Sequence, residues 1–256
     1  MDHIKCIILD IEGTISPISF VKERLFPYAL DVLPYVLELR WNDPAFKPYR
    51  DAFPEEYRTS PEALRAHVID LTKQDVKIAY LKNLQGYLWE DGYRNGNISA
   101  PLFDDVAPQL RSWKDEGKVL AIYSSGSVPA QKLLMEHVKV TAEDGSDSGK
   151  VQDLRGLISG WFDTVNAGAK NDEESYVKIA KELEVVVKAP SHYKLRALTL
   201  RSQVDLDACM FCTDNVSEAS AAKKTGMSTV LVRRPGNEPL ETRAMQAFRV
   251  VDNIRL

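Results

Sequence analysis

Ile4-Lys5-Cys6-Ile7-Ile8-Leu9-Asp10-Ile11-Glu12-Gly13-Thr14 is a nearly continuous apolar run that stops at a carboxylate and turns on a glycine. That pattern fits a central parallel strand, covered on both faces, with a functional loop at its carboxyl end. The pattern recurs. Val119-Leu120-Ala121-Ile122-Tyr123 ends in Ser124-Ser125-Gly126-Ser127, and Ala208 to Cys212 ends in Thr213-Asp214-Asn215. Helical stretches follow, Val128 to His137 and Ser217 to Thr225, and Gly226 is placed to end the second before a further strand, Ser228 to Val232. Strands alternating with helices predict an α/β fold with an open parallel sheet, whose loops converge at the strands' carboxyl ends.

Between the first two strands the pattern changes. From about Ser16 to Phe103 there is no convincing strand, but helical patterns occur at Ala63 to Leu71 and Val76 to Leu88, with aromatics such as Phe20, Tyr35 and Trp89 scattered among them. The expected organisation is an α/β core of residues 1–15 and 104–256 with a helical cap of residues 16–103. A cap inserted after the first strand's loop would shield that loop from water, and its aromatics are read as its own core. Thr141 to Lys150, polar and glycine-rich, and Lys188 to Gln203, basic around Pro190, are read as surface loops.

An apolar fraction of 44%, a charged fraction of 27% and a net charge of −4 are those of an ordinary globular chain without a nucleic-acid surface. No basic start with an apolar run precedes Ile4, and no apolar stretch approaches the roughly 20 residues that span a bilayer. An intracellular, cytoplasmic protein is expected, with the nucleus as a second compartment, and a monomer that binds neither membrane nor nucleic acid. Cys209 and Cys212 form a C-x-x-C, but residues three apart on a strand face opposite ways and cannot grip one ion. With Cys6 they are read as small buried hydrophobes.

Asp10 at a strand end, two residues before Glu12 and followed by Gly13-Thr14, suits phosphoryl transfer. Asp10 can attack phosphorus, and Glu12 can protonate the leaving oxygen and later deprotonate a water. The alternative is an acidic turn. Asp214, from a separate strand end, would complete with Asp10 an oxygen-only site suited to Mg²⁺, or else caps a helix. Ser124 and Ser125 can bind a phosphate oxygen, or simply form a polar turn. Lys170, in the flexible stretch Asn166-Ala167-Gly168-Ala169-Lys170 before a helix at Ser175 to Leu183, can neutralise the nucleophile and the phosphoryl group, or is a surface lysine.

This ordered set resembles the motifs of the haloacid dehalogenase-like superfamily, and within it the enolase-phosphatases of methionine salvage. The closer resemblance rests on Asp10-Ile11-Glu12-Gly13-Thr14, Pro17-Ile18-Ser19-Phe20-Val21-Lys22, Leu25-Phe26-Pro27-Tyr28, Tyr123-Ser124-Ser125-Gly126-Ser127-Val128, Ala130-Gln131-Lys132-Leu133-Leu134, Phe162-Asp163-Thr164, Glu174-Ser175-Tyr176 and Arg234-Pro235-Gly236-Asn237. It covers nearly the whole chain, and glutamate at position 12, where an aspartate is usual, is distinctive. The resemblance implies a Rossmann-like parallel sheet core with a helical cap. It implies that 2,3-diketo-5-methylthiopentyl-1-phosphate is enolised and dephosphorylated to an acireductone. Asp10, Glu12 and Asp214 would hold Mg²⁺, Glu12 through its main-chain carbonyl, and Ser124, Ser125 and Lys170 would bind the phosphorylated diketone substrate. The competing readings are a capped phosphatase acting on a sugar phosphate or phosphoglycolate, which would usually carry aspartate at position 12, and a catalytically silent binding protein on the same fold.

Overall fold

The computed structural model describes residues 3–141, 147–183 and 205–256. The chain opens with β1 (Cys6–Leu9), passes through a π-helical turn at Val21–Leu25, and continues as α1 (Phe26–Arg40), α2 (Lys47–Asp51), α3 (Pro61–Lys73), α4 (Ala79–Arg94) and α5 (Val106–Asp115). β2 (Val119–Tyr123) and α6 (Val128–Glu136) precede β3 (Val138–Thr141), β4 (Asp147–Gln152), β5 (Gly160–Phe162) and α7 (Glu173–Glu182). The last elements are β6 (Cys209–Thr213), α8 (Val216–Lys224), β7 (Ser228–Val232), α9 (Thr242–Ala247) and β8 (Arg249–Val251).

The chain divides into two compact units. The first comprises Met1–Ile18, Pro101–Gln131 and Asp153–Leu256. Its sheet has the order β5-β2-β1-β6-β7-β8, and every pairing is parallel. It is an α/β unit with a Rossmann-like sheet. β1 is central: Cys6 lies opposite Val119 and Cys209, and Leu9 opposite Ile122 and Cys212. Cys6, Ile7, Ile8 and Leu9 are fully buried, the burial on both faces that their uninterrupted hydrophobicity requires. Parallel pairing sends the chain out of β1, β2 and β6 at the same edge. Gly226, with φ of 98°, ends α8 as its position in the sequence suggests.

All of the cysteines, Cys6, Cys209 and Cys212, are free and buried. Cys6 sits in register beside Cys209 on the adjacent strand. A hydrogen bond between them, and then burial, push the Cys6 thiol well up from its usual range. These are core atoms, as the strand pattern predicts.

The second unit comprises Ser19–Ala100 and Lys132–Gln152. Its helices bury Leu33 and Leu37 of α1, Leu64 and Val68 of α3, and Leu81, Leu84 and Leu88 of α4. α1 and α4 approach closely at Gly92, where a Cβ would lie 2.7 Å from the Tyr28 ring. Trp89 donates its indole N–H to the Leu25 carbonyl at 2.8 Å. Phe20 and Trp89 are core, as expected, but Tyr35 is 68% exposed.

The stretch 132–152, which the sequence leaves in the core domain, groups with the helices through backbone pairing. Ala100 N–H donates to His137 O at 2.8 Å, and Lys139 N–H donates to Ala100 O at 2.9 Å. Thr141 to Lys150 is not simply a loop. β3 and β4 pair antiparallel, Val138 opposite Gln152 and Lys139 opposite Val151, with a register shift between Lys139 and Thr141. The apolar alternation of Val138 and Val140 carries this hairpin despite the polar residues that follow. Residues 142–146 and the whole of Lys188 to Gln203 lie outside the described residues. Among the described residues no helix is long and apolar enough to cross a membrane.

Arg234, after β7, is buried with Asp105 in the first unit. Its Nη1 and Nη2 meet the two Asp105 oxygens at 2.7 and 2.9 Å, its Nε donates to Thr14 O at 3.0 Å, and its guanidinium lies 4.3 Å from the centre of the Phe103 ring. Ile254 N–H donates to the same carboxylate at 2.7 Å. Burial opposes the Asp105 charge, but these hydrogen bonds outweigh it and hold the carboxyl below its usual range. Asp105→Ala would leave the Arg234 charge buried and unpaired, so a loss of about 3–5 kcal/mol is expected in urea unfolding. A loss under about 1 kcal/mol, the scale of an exposed pair, would contradict that account.

Candidate active site

Asp10 leaves the central strand with its backbone N–H still bonded to Cys212 O at 3.0 Å. The chain then turns tightly: the N–H groups of Thr14, Ile15 and Ser16 all point at Ile11 O, at 3.2, 3.0 and 2.9 Å. Gly13 adopts φ of 73° within this turn, a conformation that favours glycine. There is a second reason for glycine here. A Cβ at position 13 would lie 2.7 Å from the Asp214 Cγ and would collide with its carboxylate. The missing side chain is what lets the loop after β1 and the loop after β6 come together.

Asp10 is 4% exposed. Its Oδ1 accepts from the Ile11 N–H at 2.8 Å and lies 2.6 Å from the Lys170 ammonium. Lys170 reaches Glu218 Oε2 as well, at 2.7 Å. Burial works against the Lys170 charge, but the carboxylates of Asp10 and Glu218 prevail and hold its pKa above the usual lysine range. The Thr213 hydroxyl lies 3.1 Å from Asp10 Oδ2 and 2.9 Å from Glu218 Oε2, and its single proton serves one of them at a time.

The stretch carrying Lys170 is held, not flexible. Tyr123 donates to Gly168 O at 2.9 Å, Ser175 to Ala169 O at 2.9 Å, and Tyr176 to Lys170 O at 2.6 Å. Burial raises both phenols, which keeps them protonated as donors. Ser124 is buried, receives the Gly126 N–H at 3.1 Å and donates to Glu12 Oε2 at 3.3 Å. Ser125 is half-buried beside it. Asp214 is half-buried at the end of β6. It does not cap α8: Asn215 does, accepting from the N–H groups of Ser217 and Glu218 at 2.9 and 3.2 Å.

Asp10, Glu12, Ser124, Lys170 and Asp214 are thus joined in one cluster by direct contacts and by the Gly13 turn. Sequence reasoning missed Glu218, whose signal was its place three residues after the helix-capping Asn215, in the first turn of α8 beside the end of β6. It also missed Thr213, hidden as the last residue of an apolar strand. Burial and then the Asp10 charge raise Glu12, and the same causes in the same order push Asp214 and Glu218 up to about 7. Four carboxyl groups, those of Asp10, Glu12, Asp214 and Glu218, thus lie around one ammonium, Lys170. Among the described residues no three acidic, histidine or cysteine side chains form a complete metal cage. Carboxylate oxygens, the donors that Asp10 and Asp214 offer, suit Mg²⁺, which retains waters and shares phosphate oxygens, better than they suit tetrahedral zinc.

No family model matches the chain. Proteins named enolase-phosphatase E1 from Neurospora crassa and Podospora anserina are each 48% identical to it. The Neurospora alignment covers 98% of this chain and 96% of that protein, and the Podospora alignment 96% and 94%. The crystal structure of UTR4 protein from Saccharomyces cerevisiae is 33% identical, with a TM-score of 0.80 over 98% of this chain and 99% of that one. The structure of CbbY from Rhodobacter sphaeroides, 14% identical with a TM-score of 0.56 over 98% and 94% of the two chains, shares the fold.

Lys170→Met would leave Asp10 and Glu218 facing each other without their cation. Glu218 already holds its proton more tightly folded than unfolded, so its contribution favours folding as pH falls from about 7 towards its ordinary range near 4.5. Without Lys170 that dependence steepens. In EDTA, the melting temperature of Lys170→Met is expected to fall further below wild type at pH 8 than at pH 5. An equal deficit at both would sink the assignment.

Proposed function

The chain belongs to the enolase-phosphatase E1 family, and on that premise we propose that it converts 2,3-diketo-5-methylthiopentyl-1-phosphate to 1,2-dihydroxy-3-keto-5-methylthiopentene and phosphate in methionine salvage. The observation that supports this most is the Lys170 ammonium held 2.6 Å from Asp10, beside a second carboxylate, Glu12, that is hydrogen-bonded to Ser124.

Asp10 is assigned as the nucleophile. Its carboxylate bonds to phosphorus as the bond from phosphorus to the substrate oxygen breaks, giving an aspartyl-phosphate. Glu12 supplies the proton that the departing oxygen takes, then removes one from the water that hydrolyses the aspartyl-phosphate and restores Asp10. Burial and the Asp10 charge raise its pKa, the direction that suits a carboxyl group holding a proton between the two steps. Enolisation needs a base beside the substrate's carbonyl. Glu12 is assigned that part too: the proton taken from carbon is the one given to the departing oxygen, and the proton later taken from water passes to the enolate oxygen left by the first step, which returns Glu12 to a carboxylate.

Ser124, Ser125 and Lys170 are assigned to the substrate's oxygens, with the Lys170 charge opposing that of the phosphoryl group. Asp10, Asp214 and the Glu12 main-chain carbonyl would hold Mg²⁺, which when bound supplies positive charge against the phosphoryl oxygens. The partner is a small phosphorylated diketone, in keeping with a net charge of −4 that offers no excess of basic groups to a nucleic acid.

A panel of phosphate esters tests the reading. The diketo phosphate is expected to give both phosphate and acireductone, faster than sugar phosphates or phosphoglycolate release phosphate, and EDTA is expected to stop the reaction until Mg²⁺ is restored. Asp10→Asn should abolish turnover, and Glu12→Gln should lower kcat by about 10²–10⁴-fold. Absence of acireductone from the wild-type reaction would defeat the proposed substrate.

A further inference from the structure

The stretch after β7, Arg234-Pro235-Gly236-Asn237, returns to the turn that carries Asp10 and Glu12. Arg234 Nε holds Thr14 O at 3.0 Å. Asn237 Nδ2 donates to Gly13 O at 2.9 Å and reaches Val232 O at 3.3 Å. Both of these partners are carbonyls and accept only. The amide nitrogen must therefore face them, which fixes where the amide oxygen points.

Asn237 Oδ1 is buried and has no hydrogen-bond partner among the described residues. It lies beside the bare face of Gly13: a Cβ there would be 3.0 Å from Asn237 Oδ1 and 2.7 Å from Asp214 Cγ. Two oxygen acceptors, one of them a carboxylate, thus meet at the same bare face of the glycine. Neither can donate to the other while Asp214 is ionised, and a buried acceptor without a donor costs roughly 1–3 kcal/mol. A water in the shell of a bound cation carries two protons and would satisfy both.

We infer that Asn237 is a positioning residue for the reaction centre, one that clamps the Gly13 carbonyl so that the Asp10 turn stays packed on Asp214, and whose amide oxygen accepts a hydrogen bond from a water bound to Mg²⁺. This rests on the proposed Mg²⁺ site and adds to it a residue that contacts neither the substrate nor the ion. Outer-shell partners of this kind tune metal affinity by orienting the groups that touch the ion.

The test uses the full chain stripped of metal. Calorimetric titration with MgCl₂ is expected to show Asn237→Ala binding about 10–100-fold more weakly than wild type, the range found for outer-shell partners. Its melting temperature in EDTA should stay near that of wild type. On the diketo phosphate, kcat should fall at least about tenfold while KM changes little, the signature of misplaced reacting groups. Asn237→Asp separates the two parts of the claim. It has nearly the same shape but presents an acceptor to both carbonyls, so kcat should fall even where Mg²⁺ affinity is kept.

An Mg²⁺ affinity within about twofold of wild type in Asn237→Ala, less than the span of a good hydrogen bond, overturns the inference. So does an Asn237→Asp variant with wild-type kcat, and so does a lowered melting temperature with unchanged affinity, which marks a merely structural residue. Should Asn237→Ala not fold, Asn237→Ser is read by the same criteria. Calorimetry needs no substrate, so a wild-type chain that binds Mg²⁺ but yields no acireductone would defeat the proposed reaction while leaving this inference to be decided by binding alone.

Discussion

Two carboxylates brought together out of water repel far more strongly than they do at a surface. Between Asp10 and Glu218 that repulsion is met by one ammonium group, Lys170, 2.6 Å from the first and 2.7 Å from the second. The three side chains come from the end of β1, the stretch before α7 and the first turn of α8. Much of the surrounding structure serves to keep the ammonium there. Tyr123, Ser175 and Tyr176 hold the carbonyls of the segment that carries it, and Asn215 starts the helix that presents Glu218.

The parallel sheet is what makes such a meeting possible between residues so far apart in the chain. Every strand of the first unit runs the same way, so each turn that follows a strand opens on one edge. Glycine at position 13 then removes the last obstacle between two of those turns. The Arg234 and Asn237 side chains hold the same turn from behind through the carbonyls of Thr14 and Gly13.

The central strands and their carboxyl-terminal loops were legible because parallel strands buried on both faces read as apolar runs ending at polar residues. β7 is found at Ser228–Val232, as its sequence pattern predicts. The edges of the sheet were not legible. β5 and β8 are only three residues each, too short to carry a period. The β3–β4 hairpin was obscured because its strands flank a polar, glycine-rich segment, and the grouping of 132–152 with the helices depends on pairing with Ala100, a contact between distant parts of the chain. In the site, Asp10, Glu12 and Asp214 stood out as charges at strand ends. Thr213 did not, because a threonine in a strand draws no notice, and Asn237 acts through backbone carbonyls, which leave no mark in a side-chain pattern.

A cation shared by two anions also constrains how such a chain can change over time. Replacing either carboxylate alone shifts the whole Lys170 charge onto the other, and replacing the lysine alone leaves two carboxyl groups face to face without their cation. The Thr213 hydroxyl, with one proton and two acceptors in reach, extends the dependence to a fourth position. Residues 10, 170, 213 and 218 are therefore energetically coupled: replacing two of them together costs a different amount from the sum of the single replacements, although they lie on segments far apart in the chain.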